Sequence, residues 1–236
     1  NIAARPGYLR LLARELAPLH VAWAGQGCLT LARDERLLDL LRASGCMQLL
    51  IGFESMEALN LRQMGKPWML RLGGWDELVR RIHGAGISIY ATFLFGFDQD
   101  TPASFEHALA FVHRHRFFSA AFNHLLAFPN TPLYRRLGRE GRLTRPRWWL
   151  DGTYRYGDIC FRPLRMDPAE LSERCAQARR RFFRFPSVTR RGVAQLARNP
   201  APALLYTYLA QNFNLRDEVD GKLGLPLGNG LDELPK

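Results

Sequence analysis

Lysine is almost missing from this chain: only three of its 33 basic residues are lysine, at positions 66, 222 and 236. A coding sequence rich in G and C favours arginine without any functional cause, so the excess of arginine alone excludes nothing. Cysteine is also scarce. Cys28, Cys46, Cys160 and Cys175 stand far apart, with no CxxC or CxxxC pair, so these residues spell out neither a zinc site nor an iron–sulfur site. Their sparseness fits a reducing cytosol and buried thiols. No apolar run is long enough to span a bilayer, and the start has no signal-peptide pattern. No Ser-His-Asp or Cys-His order suggests a nucleophilic triad. Nor is there an internal repeat beyond strand–helix alternation, or a low-complexity segment.

What remains is an ordinary globular composition, 47% apolar and 23% charged over 236 residues, enough for one large domain or two small ones. The net charge of +11 is unevenly placed. Between Leu133 and Arg191 there are 16 arginines against 6 acids. Such a segment suits an anionic partner: a phosphate-bearing substrate, a membrane surface or nucleic acid.

Periodicity then orders the chain. Leu9, Leu12, Leu16 and Leu19 have helical spacing, ended by Pro18. His20 to Gly27 is a short apolar strand. Asp34 is placed to cap a helix closed by Gly45. Met47 to Phe53 reads as a strand buried on both faces, with a helix near Ser55 to Met64 after it. Trp75 to Ala85 is helical, and Ile87 to Phe97 is the most strand-like run. Thr101-Pro102 and Thr131-Pro132 each set a cap before a proline at the first helical position, on either side of a strand from Ala120 to Phe128. Strands near 20, 47, 87 and 119, each followed by a helix, predict a parallel α/β sheet with right-handed crossovers. Without a glycine-rich turn after the first of them, a partial barrel fits better than an open nucleotide-binding sheet. After Gly141 the chain turns arginine- and aromatic-rich. Asp167-Pro168-Ala169-Glu170 reads as a capping box for a helix to about Arg184, with helices at 187–198 and 202–213 and a tail over the last twenty residues.

The strand ends carry the candidate chemistry. Gln26, Glu54-Ser55, Thr92 to Gly96 with Asp98 and Asp100, and Asn123 to Phe128 converge on one expected rim, the usual setting for a small-molecule site. Lys66 adds a cation able to meet a carboxylate, and Gly96 lets backbone approach a flat ring. Capping of the next helix, or pairing with an arginine, is the structural alternative for Glu54. His113 and His115 lie two apart on a polar helical face, cannot meet one metal ion and read as solvated, while His83 and His124 have no evident partner.

The string Gly45-Cys46 to Ile51-Gly52-Phe53-Glu54-Ser55, then Lys66, then Gly86-Ile87 to Phe93-Leu94-Phe95-Gly96-Phe97-Asp98-Gln99-Asp100-Thr101, resembles the radical S-adenosylmethionine superfamily. The branch with an N-terminal cobalamin-binding domain is the most similar. Phe128-Pro129-Asn130-Thr131-Pro132-Leu133-Tyr134, Glu140-Gly141-Arg142, Trp148-Trp149, Phe161-Arg162-Pro163 and Met166-Asp167-Pro168 extend the likeness to about residue 192. The resemblance implies a partial (β/α)6 TIM-like barrel over residues 1–141, followed by an arginine-rich linker and C-terminal helical extension over 142–236.

It further implies S-adenosyl-L-methionine bound beside a 4Fe-4S cluster and reductively cleaved to a 5′-deoxyadenosyl radical for C–H functionalisation. Cobalamin-dependent methyl transfer is among the branch's outcomes. By position, Glu54 with Ser55 matches the contact to the cofactor's ribose or methionyl part. Lys66 matches a basic position used for its carboxylate, and Gln26 and Thr92 match polar strand positions. Phe95 with Gly96, and Leu125 with Leu126, match positions flanking the adenine. The CxxxCxxC loop of the family is absent. The chain opens on Asn1 rather than Met, so a piece of a longer polypeptide is expected, inactive alone, with the cluster ligands upstream. The implied partners are a small-molecule or lipid-like substrate and an electron donor such as flavodoxin or ferredoxin, in the cytoplasm or peripherally at the membrane. The alternative is a non-catalytic basic module on an anionic surface, lipid or nucleic acid.

Overall fold

A computed structural model describes residues 1–227. In chain order the elements are α1 (Pro6–Leu16), β1 (Trp23–Gly27), α2 (Glu35–Ala43), β2 (Cys46–Glu54), α3 (Ala58–Gln63), α4 (Trp75–Gly84), β3 (Ser88–Phe95), α5 (Pro102–Arg114), β4 (Ser119–His124), α6 (Pro132–Arg139), α7 (Pro168–Phe182), α8 (Phe185–Arg198) and α9 (Pro202–Gly221). The strands form one parallel sheet in the order β1-β2-β3-β4, as the alternation predicts.

Local chemistry places the boundaries. Asp34 accepts from the Leu37 amide at 2.9 Å and starts α2. Gly45, with φ of 88°, turns the chain from α2 into β2, and a Cβ there would collide with the Val21 carbonyl, so no other residue fits. Thr101 and Ser104 form a reciprocal capping box on α5.

The two faces of the sheet differ. Leu49, Ile51 and Phe53 of β2 point at the helical layer with Ala91, Phe93 and Phe95 of β3 and Phe122 of β4, all buried. Phe53, Phe93 and Phe122 stack across three neighbouring strands, at centroid spacings of 5.7 and 5.8 Å. The other face carries Gln26, Leu50, Gly52, Thr92, Leu94, Ala121 and Asn123, half-buried or exposed. It is the concave side a closed barrel would enclose.

Beyond α6, α7 packs on β4 and α8 and α9 follow as a pair. Trp148 donates from Nε1 to the Ala127 carbonyl at 2.9 Å, pinning the irregular 142–166 segment to the end of β4. Three expectations need correction. The fourth strand ends at His124, not at Phe128. Asp167 stands at the N-cap of α7 but makes no side-chain capping bond, because Pro168 already presets the first turn. The last long helix does not stop near Phe213 but runs to Gly221, since Leu215 and Val219 still find apolar partners. The rest of the expected tail, 228–236, lies outside the described residues. No helix among the described residues is long and apolar enough to cross a membrane.

Candidate functional site

Glu54 is the last residue of β2, and its backbone is exceptional. The β2–β3 register passes from Gly52 opposite Thr92 to Glu54 opposite Phe93, a bulge that skips Phe53. Glu54 takes a left-handed conformation, φ 64°, at a cost of about 1–2 kcal/mol for a residue with a side chain. The consequence is directional: the side chain turns back over the concave face. It occupies the space above Gly52, where a Cβ would collide with Glu54 Oε1.

The same oxygen accepts from Lys66 Nζ at 2.6 Å, with the side chains of Glu54 and Lys66 15% and 34% exposed. Lys66 is delivered by the end of α3. The Lys66 amide bonds the Leu61 carbonyl and the Gly65 amide that of Arg62, with Gly65 at φ 73°, a Schellman cap that returns the chain toward the sheet.

Parallel register brings the other polar residues to this face. Gln26 lies opposite Leu50, Gly52 opposite Thr92, and Leu94 opposite Asn123. Gln26, Thr92 and Asn123 make no side-chain hydrogen bond to protein among the described residues, so their polar groups are available to a ligand. Lower on β2, Gln48 Nε2 is buried without a partner. Sequence reasoning did not single out Gln48; its place in the alternation Gln48, Leu50, Gly52 was the signal. A cleft of about 180 Å³ opens beside β4, lined by Tyr90, Asn123, Tyr156, Arg179, Glu218 and Lys222 among others.

Ser55 and Asp100 instead hold the rim together. Asp100, buried, accepts from the Gly96 amide at 2.8 Å, the Phe97 amide at 2.9 Å and Asn60 Nδ2 at 2.7 Å. Asn60 also reaches Ser55 Oγ at 3.2 Å, and that oxygen accepts from the Glu57 amide. Burial pushes the Asp100 carboxyl up to about 6, against the pull of its two backbone donors. Asp98 bonds Arg136 at 2.5 Å and Arg142 at 3.0 Å. Burial alone would raise its carboxyl, but these bonds outweigh that and hold it below the usual range.

The structure therefore brings Gln26, Glu54, Thr92 and Lys66 together and turns others away. Ser55 is buried in the rim network. Phe95 points into the helical layer, its ring 3.9 Å from that of Phe105, because odd positions of β3 face α5. Gly96, φ 108°, has its Cα hydrogen side filled by Leu171 and Phe161, each 3.0 Å from an added Cβ. Leu125 is buried after β4 and donates its amide to the Phe95 carbonyl at 2.8 Å, with Leu126 half-buried beside it.

The histidine expectation fails in part. His115 is buried and meets Asp76 at 2.6 Å, because it caps α5 instead of continuing its outer face. His124 Nδ1 lies 3.1 Å from the Leu125 carbonyl, and His83 Nε2 is buried without a partner.

An iron–sulfur cluster does not fit the side chains present. No group of three His, Cys, Asp or Glu side chains could hold a metal among the described residues. Burial pushes the thiols of Cys46 and Cys175 up to about 12, which keeps them protonated. The open face of the sheet does interleave acceptors, Gln26, Glu54 and Thr92, with apolar surface from Leu50 and Leu94.

No family model matches the chain. It is 29% identical over 191 residues to the bacteriochlorophyllide d C-12(1)-methyltransferase of Chlorobaculum tepidum, a match covering 81% of this chain and 41% of that protein. It is 31% identical over 144 residues to the hopanoid C-2 methylase of Rhodopseudomonas palustris, covering 57% and 27%. The fold matches TsrM from Kitasatospora setae, a radical S-adenosylmethionine methyltransferase solved with cobalamin and a [4Fe-4S] cluster, at TM-score 0.51 and 17% identity. That match covers 90% of this chain and 49% of TsrM. The chain thus spans less than half the length of each.

Proposed function

We propose, from its likeness in sequence to a methyltransferase and a methylase and in fold to TsrM, that this chain supplies the S-adenosylmethionine-binding wall of a radical SAM enzyme's catalytic barrel. Residues 1–141 form the partial barrel and 142–227 close its β4 side. The carrying observation is Glu54: a strained backbone, a bulge and the gap above Gly52 together hold one carboxylate over the concave face. Strain at a non-glycine residue persists only where the surroundings enforce it, and it gathers at binding sites.

In this reading Glu54 accepts from the ribose hydroxyls or the ammonium group of the cofactor. Lys66, beside it, meets the cofactor's carboxylate. Gln26 and Thr92 accept or donate lower on the same face, while Leu50 and Leu94 exclude water. Half-buried Leu126 borders the adenine with apolar surface, and Phe95, Gly96 and Leu125, buried behind it, hold that edge in place. A 4Fe-4S cluster and cobalamin, held outside this chain, would supply the electron and the methyl carrier. The length relation to the curated relatives supports that division, and it leaves this chain inactive by itself. A small-molecule substrate, an electron donor of the flavodoxin or ferredoxin type and a cytoplasmic setting complete the proposal.

The test is S-adenosylmethionine binding by the enzyme with its missing segments restored. Glu54→Ala removes a charge-assisted bond and should weaken binding about tenfold or more. Unchanged affinity, with a lowered melting temperature, would leave Glu54 only its bond to Lys66.

A further inference from the structure

The turn between α7 and α8 carries charge that the rest of the molecule does not use. Two adjoining clefts meet there and share Arg184 and Pro186. One is lined by His113, Arg116, Arg181 and Arg190, the other by Arg180, Phe185 and Arg216. Arg181 is engaged by Glu106, and Arg180 by Glu173 and Asp220. Arg116, Arg184, Arg190 and Arg216 are exposed and have no carboxylate partner among the described residues. The local positive field is visible at His113: burial first, then repulsion from Arg191, Arg181 and Arg190, hold its imidazole below the ordinary value.

Apolar side chains lie beside these cations. Phe185 is 59% exposed, Val193 65% and Leu196 38%, and their spacing sets all three on the outer face of α8. Buried Val188, Arg191 and Gln195 occupy the opposite face. Exposed phenylalanine and valine flanked by unpaired arginine is the pattern of a helix that lies in a lipid headgroup layer.

We infer that the α7–α8 corner docks on an anionic phospholipid surface, with Arg116, Arg184, Arg190 and Arg216 meeting headgroup phosphates and Phe185 and Val193 entering the acyl boundary. Guanidinium forks suit phosphate oxygens. Nucleic acid would use the same cations but would want aromatic rings placed for stacking; the exposed set on α8 is mainly aliphatic and projects outward. The corner lies on α7 and α8, apart from the concave face that carries Glu54.

The test is co-sedimentation of this chain with vesicles of phosphatidylglycerol in phosphatidylcholine, against phosphatidylcholine alone. Binding should require the anionic lipid and fall about tenfold between low and physiological salt. R184E/R190E should weaken it about tenfold or more, with R184Q/R190Q replacing it if charge reversal impairs folding. F185S/V193S should weaken it while leaving the salt dependence intact. Equal binding to neutral vesicles, or none to either, overturns the inference. So does competition by inorganic pyrophosphate combined with indifference to F185S/V193S, which would mark a soluble phosphate ligand. Tighter binding to duplex RNA with the same indifference would mark a nucleic-acid surface and overturn it too. No arm uses S-adenosylmethionine, so failure here leaves the proposed function standing, and the reverse holds.

Discussion

At the scale of single residues, the site depends on one glycine as much as on one acid. Gly52 has an extended backbone that alanine adopts freely, so its only special property is the space it leaves for Glu54 Oε1. Gly52→Ala should displace the carboxylate from Lys66 and weaken S-adenosylmethionine binding about as much as Glu54→Ala. Folding stability should stay within about 1 kcal/mol, because alanine in a strand loses less chain entropy than glycine. Binding titration beside thermal melting checks this, and intact binding would show that Glu54 does not need the gap. The sequence presented Gly52-Phe53-Glu54 as a strand end but gave no sign of the bulge, which comes from pairing with β3.

At the scale of elements, Asp100 joins two loops. It ties the turn after β3 to Asn60 of α3, and through Asn60 to Ser55 at the end of β2. Its folded-state carboxyl is raised from 3.8 to about 6. The folded protein therefore holds this proton more tightly than the unfolded chain does. The resulting stabilisation is fully present below about pH 4 and is lost as pH rises through about 6, a change on the order of 3 kcal/mol from this group. Asp100→Asn removes the titration, so urea denaturation from pH 4 to 7 should show a flatter dependence in the variant than in the parent. Identical curves would refute the assignment. The elements themselves were legible: all four strands, the caps at Asp34, Thr101 and Thr131, and the glycine stops at Gly45 and Gly86 follow from local rules. The side-chain roles of Ser55 and Phe95 were not, because alternation alone does not say which face of a strand the helices cover.

At the scale of the whole molecule, most arginines lie at the surface, but Arg142 and Arg191 are buried. Arg191 is the extreme case, 1% exposed, with no carboxylate partner among the described residues. It donates to the carbonyls of Phe118 at 2.8 Å, Phe182 at 3.1 Å and Phe117 at 3.2 Å and to Asn212 Oδ1 at 2.9 Å, and lies 3.8 Å over the Phe182 ring. It fastens α8 to α7, to the start of β4 and to α9. Burial lowers its guanidinium to about 10, which still leaves it charged at neutral pH. Arg191→Ala should destabilise the fold by about 3–5 kcal/mol in urea denaturation, and lysine should not restore it, since one ammonium cannot reach carbonyls on three elements. Full rescue by lysine would argue that charge, not the fork, makes the junction.

The sequence by itself determined the order of strands and helices, their parallel sense and the likeness to radical SAM enzymes, because caps, glycine turns and strand–helix alternation are short-range properties. Tertiary structure decided which polar residues stand free and which are consumed. Glu54, Gln26 and Thr92 share a face only through the register of three strands, Asp98 and Asp100 are taken up by partners distant in sequence, and Arg191 becomes a buried tie while Arg116, Arg184, Arg190 and Arg216 stay exposed. Those outcomes follow from contacts between residues tens of positions apart, which no local pattern encodes.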